Sequence, residues 1–418
     1  MADRQLDQEK AMKYDIFFSF SRMEIDGYLP SEAEVFGNLV DQIKAADDCG
    51  FETAWVGEAH FALREEQRKD VPLLPHFRGE VCLNTDILQL AHYVYPRTRR
   101  IQMGSAIRNI LCNGGPIAHA EAIRTFLTLH GLTEQEGRLI HIGFGTGRFE
   151  FSNAPFGVRP RNAIEEAAWP VVRGLAMRQG AEIFLRLLRG DALSSQDIAA
   201  QRLSRPQFRT EEAWQHVLAA GGEEGQPIPP FWTFDRLRII PEEAPLELLR
   251  LTLGSHDPQL QKLANWFYPV RVFNLSVTPR KVLEETHQRM RECYHPAGGP
   301  WRRDYLPRTV MVFVEADPGL TPTEQSHRAE ARAEAAIRAY QHAMEGTIDE
   351  EKVVNGMSNA VFGNPEQVAT EIASRFHPDD RIMAWFDFND NDNERVIRGM
   401  RAFKAHVVPL LERTHAGG

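Results

Sequence analysis

The segment that most constrains the fold reads Cys49-Gly50-Phe51-Glu52-Thr53-Ala54-Trp55-Val56-Gly57-Glu58-Ala59-His60-Phe61. Its central run, Thr53 to Val56, is too short for a helix and is bounded by turn residues, so it predicts a buried strand. Buried parallel strands have continuous apolar sequences, and in barrel enzymes the chemistry lies where such strands end. Glu58 and His60 are two residues apart, so on an extended chain they point to the same side. The pair is equally compatible with a buried structural histidine or a surface loop.

The composition is that of an ordinary globular protein. Of 418 residues, 43% are hydrophobic and 25% are charged, and the net charge is −10. This acidic balance argues against a general nucleic-acid or anionic-membrane binder. The four cysteines, Cys49, Cys82, Cys112 and Cys293, form no CxxC pair, which disfavours a zinc site or disulfide framework and favours a reducing compartment. There is no signal-like N-terminus and no apolar run of about 18 residues, so we expect a cytoplasmic protein without a membrane span.

Strand-like and helix-like segments alternate along the chain. The eight predicted strands are Tyr14–Phe20, Thr53–Gly57, Arg100–Ile107, Leu139–Gly145, Leu248–Gly254, Val270–Leu275, Arg308–Ala316 and Arg381–Phe388. Helices are predicted between them at Glu32–Cys49, Asn84–Tyr95, Pro116–His130, Asp257–Trp266, Arg280–Cys293, Thr323–Met344 and Glu366–Phe376. Strand–helix alternation implies parallel pairing with right-handed crossovers. Eight such units predict an α/β fold of the (β/α)8 TIM barrel type, with an open doubly wound sheet as the alternative.

The alternation is interrupted between the fourth and fifth predicted strands. Residues 150–245 contain the helical stretches Glu165–Arg189 and Glu211–Ala220 and a segment rich in glycine and proline, but too few strands for a second core. We therefore interpret residues 1–418 as one barrel domain with a mainly helical insertion at 150–245. This insertion and the polar loop Leu63–Val81 are candidate lids over a site.

The fourth strand runs into a segment with three alternating glycines, Ile142-Gly143-Phe144-Gly145-Thr146-Gly147-Arg148. The spacing is not GxGxxG and no helix obviously follows, so a Rossmann dinucleotide site is disfavoured. Alternating glycines at a strand end allow a flat ligand to lie against the backbone, although a plain tight turn explains them equally well.

Two further strand ends are candidate binding segments. In Thr252-Leu253-Gly254-Ser255-His256-Asp257-Pro258 a strand ends and a capped helix begins, and the free N–H groups of such a start bind phosphate with a hydroxyl in support. An ordinary capped helix is the simpler interpretation. In Gly104-Ser105-Ala106-Ile107-Arg108-Asn109, small residues would admit a planar ring.

Other chemistries find little support in the sequence. His119, His141 and His256 lie near strand or helix ends, but none belongs to a metal-binding motif, so no metal site is predicted. The absence of a GxSxG segment disfavours a serine hydrolase. A metal-dependent barrel hydrolase is disfavoured because no His/Asp set follows the strands.

Taken together, these segments resemble the luciferase-like flavin monooxygenase family. The family's Gly-Phe-Asp, apolar strand and Glu-His-His-Phe correspond to Gly50-Phe51-Glu52 and Glu58-Ala59-His60-Phe61. Further matches are Arg97 to Ala106, Thr128 to Arg138, the glycine-rich end of strand four, Phe156-Gly157, and Phe362-Gly363-Asn364-Pro365-Glu366-Gln367-Val368 before the last predicted strand. The resemblance covers roughly residues 14–157 and 248–411.

The resemblance implies a site for reduced flavin at the mouth of the barrel. Ala106 and Ile107 would lie near the family's non-prolyl cis peptide, Gly145 and Thr146 beside the ring or phosphate, Ser255 at the phosphate, and Asn274 near the isoalloxazine. The family's first, catalytic histidine is replaced here by Ala59, so His60 is the predicted proton-handling residue, with Glu58 orienting it or touching the flavin. The family's phosphate-binding arginine falls on Thr146, so Arg148 is expected to replace it.

The function that this resemblance implies is an FMN-dependent monooxygenase that uses reduced FMN and O2. A separate flavin reductase would supply the FMN, the substrate would be a small and largely apolar organic molecule, and a homodimer is expected. Two alternatives stay open: a deazaflavin-dependent hydride-transfer oxidoreductase of the same fold, and a flavin-binding paralogue without activity. Oxygen consumption with reduced FMN distinguishes the FMN-dependent monooxygenase from both alternatives.

Overall fold

The computed structural model describes residues 12–61, 78–133, 137–147, 150–276, 278–344 and 360–416. Nine parallel strands form its main sheet: β1 (Lys13–Phe18), β2 (Thr53–Val56), β3 (Gln102–Asn109), β4 (Ile140–Gly145), β5 (Leu249–Leu253), β6 (Val270–Val272), β7 (Arg308–Val314), β8 (Val361–Gly363) and β9 (Arg381–Trp385). Their spatial order is β6-β5-β4-β3-β2-β1-β9-β7-β8. Two antiparallel pairs of two-residue strands, Arg22–Met23 with Gly79–Glu80 and Gln201–Arg202 with Pro227–Ile228, lie outside this sheet.

Without the edge strand β8, the sheet has eight strands, and its two end strands, β6 and β7, contact each other. Asn274, just after β6, forms a parallel bridge with Arg308, the first residue of β7. Its N–H donates to Pro307 O at 3.0 Å, and Thr309 N–H donates to Asn274 O at 3.1 Å. This junction is a narrow seam, since it is a single bridge where the other neighbours form ladders. The α/β fold of the TIM barrel class is as predicted.

Among the nine strands of the main sheet, β8 is the one that the sequence did not predict. It pairs only with β7, through Val361, Phe362 and Gly363, at the outer edge of the sheet. Three residues are too few for a periodic pattern. The segment was interpreted as the opening of the following helix, which the capping box of Asn364 and Gln367 indeed begins.

Helices cover the strands on the outside of the sheet. They are α1 (Glu32–Cys49), α2 (Ile87–Val94), α3 (Gly115–Gly131), α4 (Ala163–Ala167), α5 (Trp169–Leu188), α6 (Glu211–Ala219), α7 (Pro258–Phe267), α8 (Arg280–Cys293), α9 (Pro322–Met344), α10 (Pro365–Arg375), α11 (Asn393–Ala402) and α12 (Val408–Ala416), with a π-helical turn at Phe403–Val407. Local signals set their ends: Ser31 caps α1, and Gly50 ends it in the left-handed conformation at φ 78°. None of the helices in the described ranges is long and apolar enough to cross a membrane.

The segment predicted as an insertion includes one helix of the barrel itself. Helix α5 packs against both α3 and α7, which is the place of the helix that follows β4. A separate apolar cluster, which includes Phe208, Trp214 and Val217, lies against its first turns. Part of the predicted insertion at residues 150–245 therefore packs as a barrel helix. The sequence could not show this, since it does not reveal which helix packs on the strands. Its role as a lid stays a prediction, and most of the second candidate lid, Leu63–Val81, lies outside the described residues.

Glycines inside the barrel make room for two large side chains. A Cβ on Gly104 would lie 2.8 Å from the Trp55 ring. A Cβ on Gly143 would lie 2.7 Å from Ile107 Cδ1 and 2.3 Å from the backbone oxygen of Ser105. These distances are shorter than real Cβ contacts, so β3 and β4 can approach each other as they do only because position 143 has no side chain.

We expect Gly143→Ala to lower the free energy of unfolding by about 3 kcal/mol or more, because the added methyl group collides with backbone that cannot rotate away. The matched control is Gly37→Ala in the exposed part of α1, where a Cβ meets nothing within 4 Å. That change should raise stability by about 0.5–1 kcal/mol through helix propensity. Urea unfolding of both variants measures the difference, and equal effects would contradict the packing argument.

Candidate active site at the strand ends

The predicted site residues that the structure describes lie at one end of the barrel. Glu58 and His60 follow β2, Ala106 and Ile107 lie in β3, Gly145 and Thr146 end β4, Ser255 follows β5, and Asn274 follows β6. Because parallel strands point the same way, their carboxyl ends meet at one mouth. Arg148 lies outside the described residues, so its predicted role stays untested.

Ile107 forms the centre of a platform at this mouth. The peptide bond between Ala106 and Ile107 is cis, at the position that the family resemblance implied. The Ile107 side chain packs so closely on β4 and β5 that a Cβ would come within 3.3 Å of it at Gly145 and 3.1 Å at Gly254. The predicted glycine-rich segment thus packs against a side chain of its own barrel, and the platform joins three neighbouring strands.

An apolar floor surrounds this platform. It consists of Phe17, Trp55, Phe273 and Met383, with Ala106, Ile107 and Trp385 packed against them. The rings of Phe17 and Trp385 meet edge-on with centroids 4.7 Å apart, and those of Trp55 and Phe273 lie 5.9 Å apart. A floor of aromatic and aliphatic side chains suits a planar ring system.

Polar groups without partners lie in and beside this floor. Asn274 Oδ1, Trp385 Nε1 and Thr252 Oγ1 are buried and have no hydrogen-bond partner within the described part of the chain. Buried polar atoms are normally paired. Trp385 belongs to the floor and Asn274 directly follows Phe273, so one unpaired donor and one unpaired acceptor lie in or next to it.

A cationic side chain that sequence reasoning missed lies at the end of β4. Arg173, from helix α5, places its Nη2 3.2 Å from Thr146 Oγ1 and 3.3 Å from Gly147 O. Nothing in the local sequence distinguishes this arginine from others on an amphipathic helix, and its place depends on how α5 packs. It puts a guanidinium where the resemblance implied an arginine for phosphate.

Ser255 lies at the start of α7, beside a second arginine of α5. Its Oγ accepts the Asp257 N–H at 3.2 Å, and its carbonyl accepts from Gln261 Nε2 at 2.9 Å. Asp257 caps the helix and forms a 2.9 Å ion pair with Arg178. Because Asp257 offsets the charge of Arg178, the groups that favour an anion between the ends of β4 and β5 are the Ser255 hydroxyl hydrogen, the helix N-terminus and the Arg173 guanidinium.

Glu58 lies in a buried network behind the mouth. Its Oε2 accepts from Ser105 Oγ at 2.7 Å, and its Oε1 accepts from Arg108 Nη1 at 2.9 Å. The same Nη1 donates to Asp86 Oδ1 at 3.1 Å. Burial raises the pKa of the Glu58 carboxyl, against the opposing effect of Arg108. These contacts give Glu58 a structural role that the sequence did not predict. Its predicted catalytic role remains a prediction.

His119 continues this network in a fixed tautomer. Arg108 Nε donates to His119 Nδ1 at 2.8 Å, so the ring proton lies on Nε2, which is 3.0 Å from Cys112 O. Burial lowers the pKa of His119 to about 3, so the ring is neutral. These contacts give His119 a structural role in the network.

His60 follows β2 at the same end of the barrel. Its Nε2 is buried and without a partner in the described residues. Burial, and then the positive charge of Arg108, lowers the pKa of His60 below its usual 6.5. Its loop is held by Asn84, which donates to Gly57 O and accepts from Ala59 N–H. At neutral pH His60 is thus a neutral imidazole with one ring nitrogen unused.

Asp387 is an ionisable residue at the same end that sequence reasoning missed. It follows β9, and its Oδ2 accepts the N–H and the O–H of Ser19, each at 3.1 Å. Burial raises its pKa to about 6. The only sequence signal was an acid at the end of a predicted strand. Among the residues described, no group of His, Cys, Asp or Glu is placed to hold a metal ion.

A family model for the luciferase-like monooxygenases matches residues 16–378. The chain therefore belongs to the luciferase-like monooxygenase family, whose members are flavin- or deazaflavin-dependent monooxygenases and oxidoreductases, and it is an enzyme. The predicted resemblance is confirmed. No curated protein sequence matches the chain significantly.

Solved structures similar to this chain include enzymes with different cofactors. Monooxygenase RslO1 from Streptomyces bottropensis has TM-score 0.64 and 18% identity, covering 95% of this chain and 99% of that one. The oxygenating constituent of 3,6-diketocamphane monooxygenase from Pseudomonas putida, solved with FMN, has TM-score 0.56, 14% identity and coverages of 96% and 98%. An F420-dependent secondary alcohol dehydrogenase has TM-score 0.52, 13% identity and coverages of 96% and 99%. At these identities the likeness shows the fold alone.

We expect Glu58→Ala to lower the free energy of unfolding by about 3–5 kcal/mol, because it removes a carboxylate partner from the buried Arg108. Glu58→Gln should cost less, since its amide oxygen still accepts a hydrogen bond. The control is Glu394→Ala, which breaks an exposed pair with Arg398 and should change stability by less than about 1 kcal/mol. Urea unfolding that ranks Glu58→Ala level with the control would contradict the buried network.

Proposed function

We propose that this enzyme is an FMN-dependent monooxygenase that acts on a small, largely apolar organic substrate. The observation that carries the proposal is the combination of an apolar floor around Ile107 with a guanidinium of Arg173 at the end of β4. The floor suits a flavin ring and the guanidinium suits a terminal phosphate. We further propose that a separate reductase delivers the reduced flavin and that the chain forms a homodimer.

Different residues at the mouth would contact the ring, the ring edge and the phosphate of FMN. Ala106 and Ile107 would support the ring, with Asn274 hydrogen-bonding its edge. Gly145 lets Ile107 pack closely beneath the ring, and Thr146, Ser255 and Arg173 would hold the phosphate. When bound in reduced form, FMN would supply the electrons with which one atom of O2 is transferred to the substrate and the other is released as water.

The protein's own contribution is to keep the reacting groups dry and to handle a proton. The aromatic floor excludes water from below the ring, which protects reactive oxygen chemistry from discharge. His60 is neutral near pH 7, so its free ring nitrogen accepts a proton without first losing one. The floor also favours an apolar substrate, because a polar molecule would lose hydration there without compensation.

A deazaflavin-dependent hydride transfer is the second candidate. The F420-dependent dehydrogenase among the similar structures supports it. Oxygen electrode assays with chemically reduced FMN and reduced F420, in air and under argon, separate the two. The proposed monooxygenase consumes oxygen with FMN, whereas substrate turnover under argon with F420 alone would overturn the proposal.

We expect Arg173→Gln to weaken FMN binding about tenfold or more, since it removes a charge-assisted hydrogen bond to phosphate. Riboflavin, which has the same ring but no phosphate, should bind both forms equally. The matched control is Arg209→Gln, an exposed arginine in the chain segment before α6. Fluorescence titration of the wild type and both variants with each ligand measures the six affinities. Equal loss of FMN and riboflavin would show that Arg173 does not serve the phosphate, and failure of the wild type to bind either would end the flavin proposal.

We expect His60→Ala to lose about a hundredfold or more in turnover while retaining FMN affinity, because proton transfer is removed and the floor is not. The wild type should also lose activity toward acid pH as His60 becomes protonated, and this acid limb should be absent from the variant. Steady-state rates from pH 5 to pH 8 measure both. His216→Ala, an exposed histidine on α6, is the control. Full activity in His60→Ala would remove this residue from the mechanism.

A further inference from the structure

A buried glutamine lies behind the turn that carries Ser255. Gln261 is in the first part of α7, and its side chain is fully buried. A buried amide is costly unless both its oxygen and its nitrogen find hydrogen-bond partners. Here both do, because Oε1 accepts from Arg289 Nε at 2.8 Å and Nε2 donates to Ser255 O at 2.9 Å. The function proposed above gives neither Gln261 nor Arg289 a role.

The partners of Gln261 fix which way its amide points. A guanidinium only donates hydrogen bonds, so Arg289 must face the amide oxygen. A backbone carbonyl only accepts, so Ser255 O must face the amide nitrogen. Arg289 is itself held on α8, where its Nη2 donates to Thr286 Oγ1 at 3.1 Å. Two helices, α7 and α8, therefore act together on one carbonyl group just after β5.

The bond to the Ser255 carbonyl also sets the direction of the next N–H group. The peptide bond between Ser255 and His256 is planar and trans, so its N–H points opposite to its C=O. Since the C=O points to the buried Gln261, the N–H of His256 points away from it. Gly254 is exposed and Ser255 is partly exposed, so the opposite side of this turn is open. The Ser255 Oγ accepts the N–H of Asp257, which leaves the hydroxyl hydrogen to be donated elsewhere.

The hydrogen bonds between Arg289 and Ser255 run in one direction. Each donates toward the peptide that joins Ser255 to His256, and bonds in such a chain polarise one another. A cation at the far end strengthens this effect, since charge-assisted hydrogen bonds are the stronger ones. The charge of Arg289 is felt at the turn, because partial burial of the imidazole and then this charge lower the pKa of His256. The chain thus makes the N–H of His256 a better donor to an anion.

We propose that Gln261 is a positioning residue for the phosphate of the flavin, and that Arg289 fixes the orientation of its amide. Gln261 does not touch the ligand. It holds the turn so that the Ser255 hydroxyl and the His256 N–H donate to phosphate oxygens, as the Arg173 guanidinium does from α5. This inference rests on the flavin function proposed above, since phosphate is the group that Ser255 binds there.

Fluorescence titration with FMN and riboflavin tests this role on the full chain. Gln261→Met keeps the length of the side chain and removes both hydrogen bonds without changing the charge. We expect it to weaken FMN binding about tenfold, because the turn is no longer held, and to leave riboflavin binding unchanged. The matched control is Gln288→Met, which changes an exposed glutamine of α8 and should alter neither affinity.

A pair of substitutions at the partly exposed Arg289 tests the contact that fixes the amide. Lysine can still donate to Gln261 Oε1, whereas methionine cannot. We expect Arg289→Met to weaken FMN binding about threefold or more, and Arg289→Lys to keep most of the affinity. Riboflavin should again bind both variants as it binds the wild type. Gln261→Met retains the charge of Arg289, so a loss in that variant reports the position of the turn and not the charge.

The outcomes distinguish this role from the flavin proposal itself. If the wild type prefers FMN to riboflavin and Gln261→Met keeps that preference, the positioning role is overturned and the flavin proposal stands. Equal loss of FMN and riboflavin in both Gln261→Met and Arg289→Met also overturns it, since general damage to the mouth explains such a loss. A wild type that binds neither flavin overturns both proposals.

Discussion

The buried carboxylate of Glu58 is the contact on which the candidate site depends most. It binds Ser105 with one oxygen and Arg108 with the other, and these two residues flank Ala106 and Ile107. The pairing of β3 with β4 changes register over the same interval. One charged group therefore holds both ends of an irregular stretch, and the side chain of Ile107 is presented to the mouth as a consequence.

The glycines of β4 and β5 complete this arrangement from the other side. Gly143, Gly145 and Gly254 have no Cβ that would push Ile107 away, so three strands meet closely around one methyl-rich side chain. The aromatic rings of Phe17 and Trp55 extend the surface. The floor of the mouth is thus a product of close packing, and Trp385 Nε1 within it is a buried donor without a partner in the described residues.

Positive charge is concentrated at the candidate site although the chain as a whole is acidic. The net charge is −10, yet Arg173 and Arg178 of α5 reach the ends of β4 and β5. His119 and His60 are neutral near pH 7, since burial lowers their pKa and Arg108 is close. Positive charge is therefore supplied mainly by guanidinium groups, whose charge is insensitive to pH.

The sequence by itself determined the fold class, because strand and helix periodicities are local and repeat in order along the chain. It also determined that the strand ends would lie at one mouth, since parallel strands place their carboxyl ends together, and the family resemblance assigned Ile107, Thr146 and Ser255 to that mouth. Only the tertiary structure decided what each side chain touches. Glu58 binds Ser105 and Arg108, and Arg173 reaches Thr146 from a helix 27 residues further along. Such contacts depend on how helices pack on the barrel, and distance in the sequence does not encode that packing.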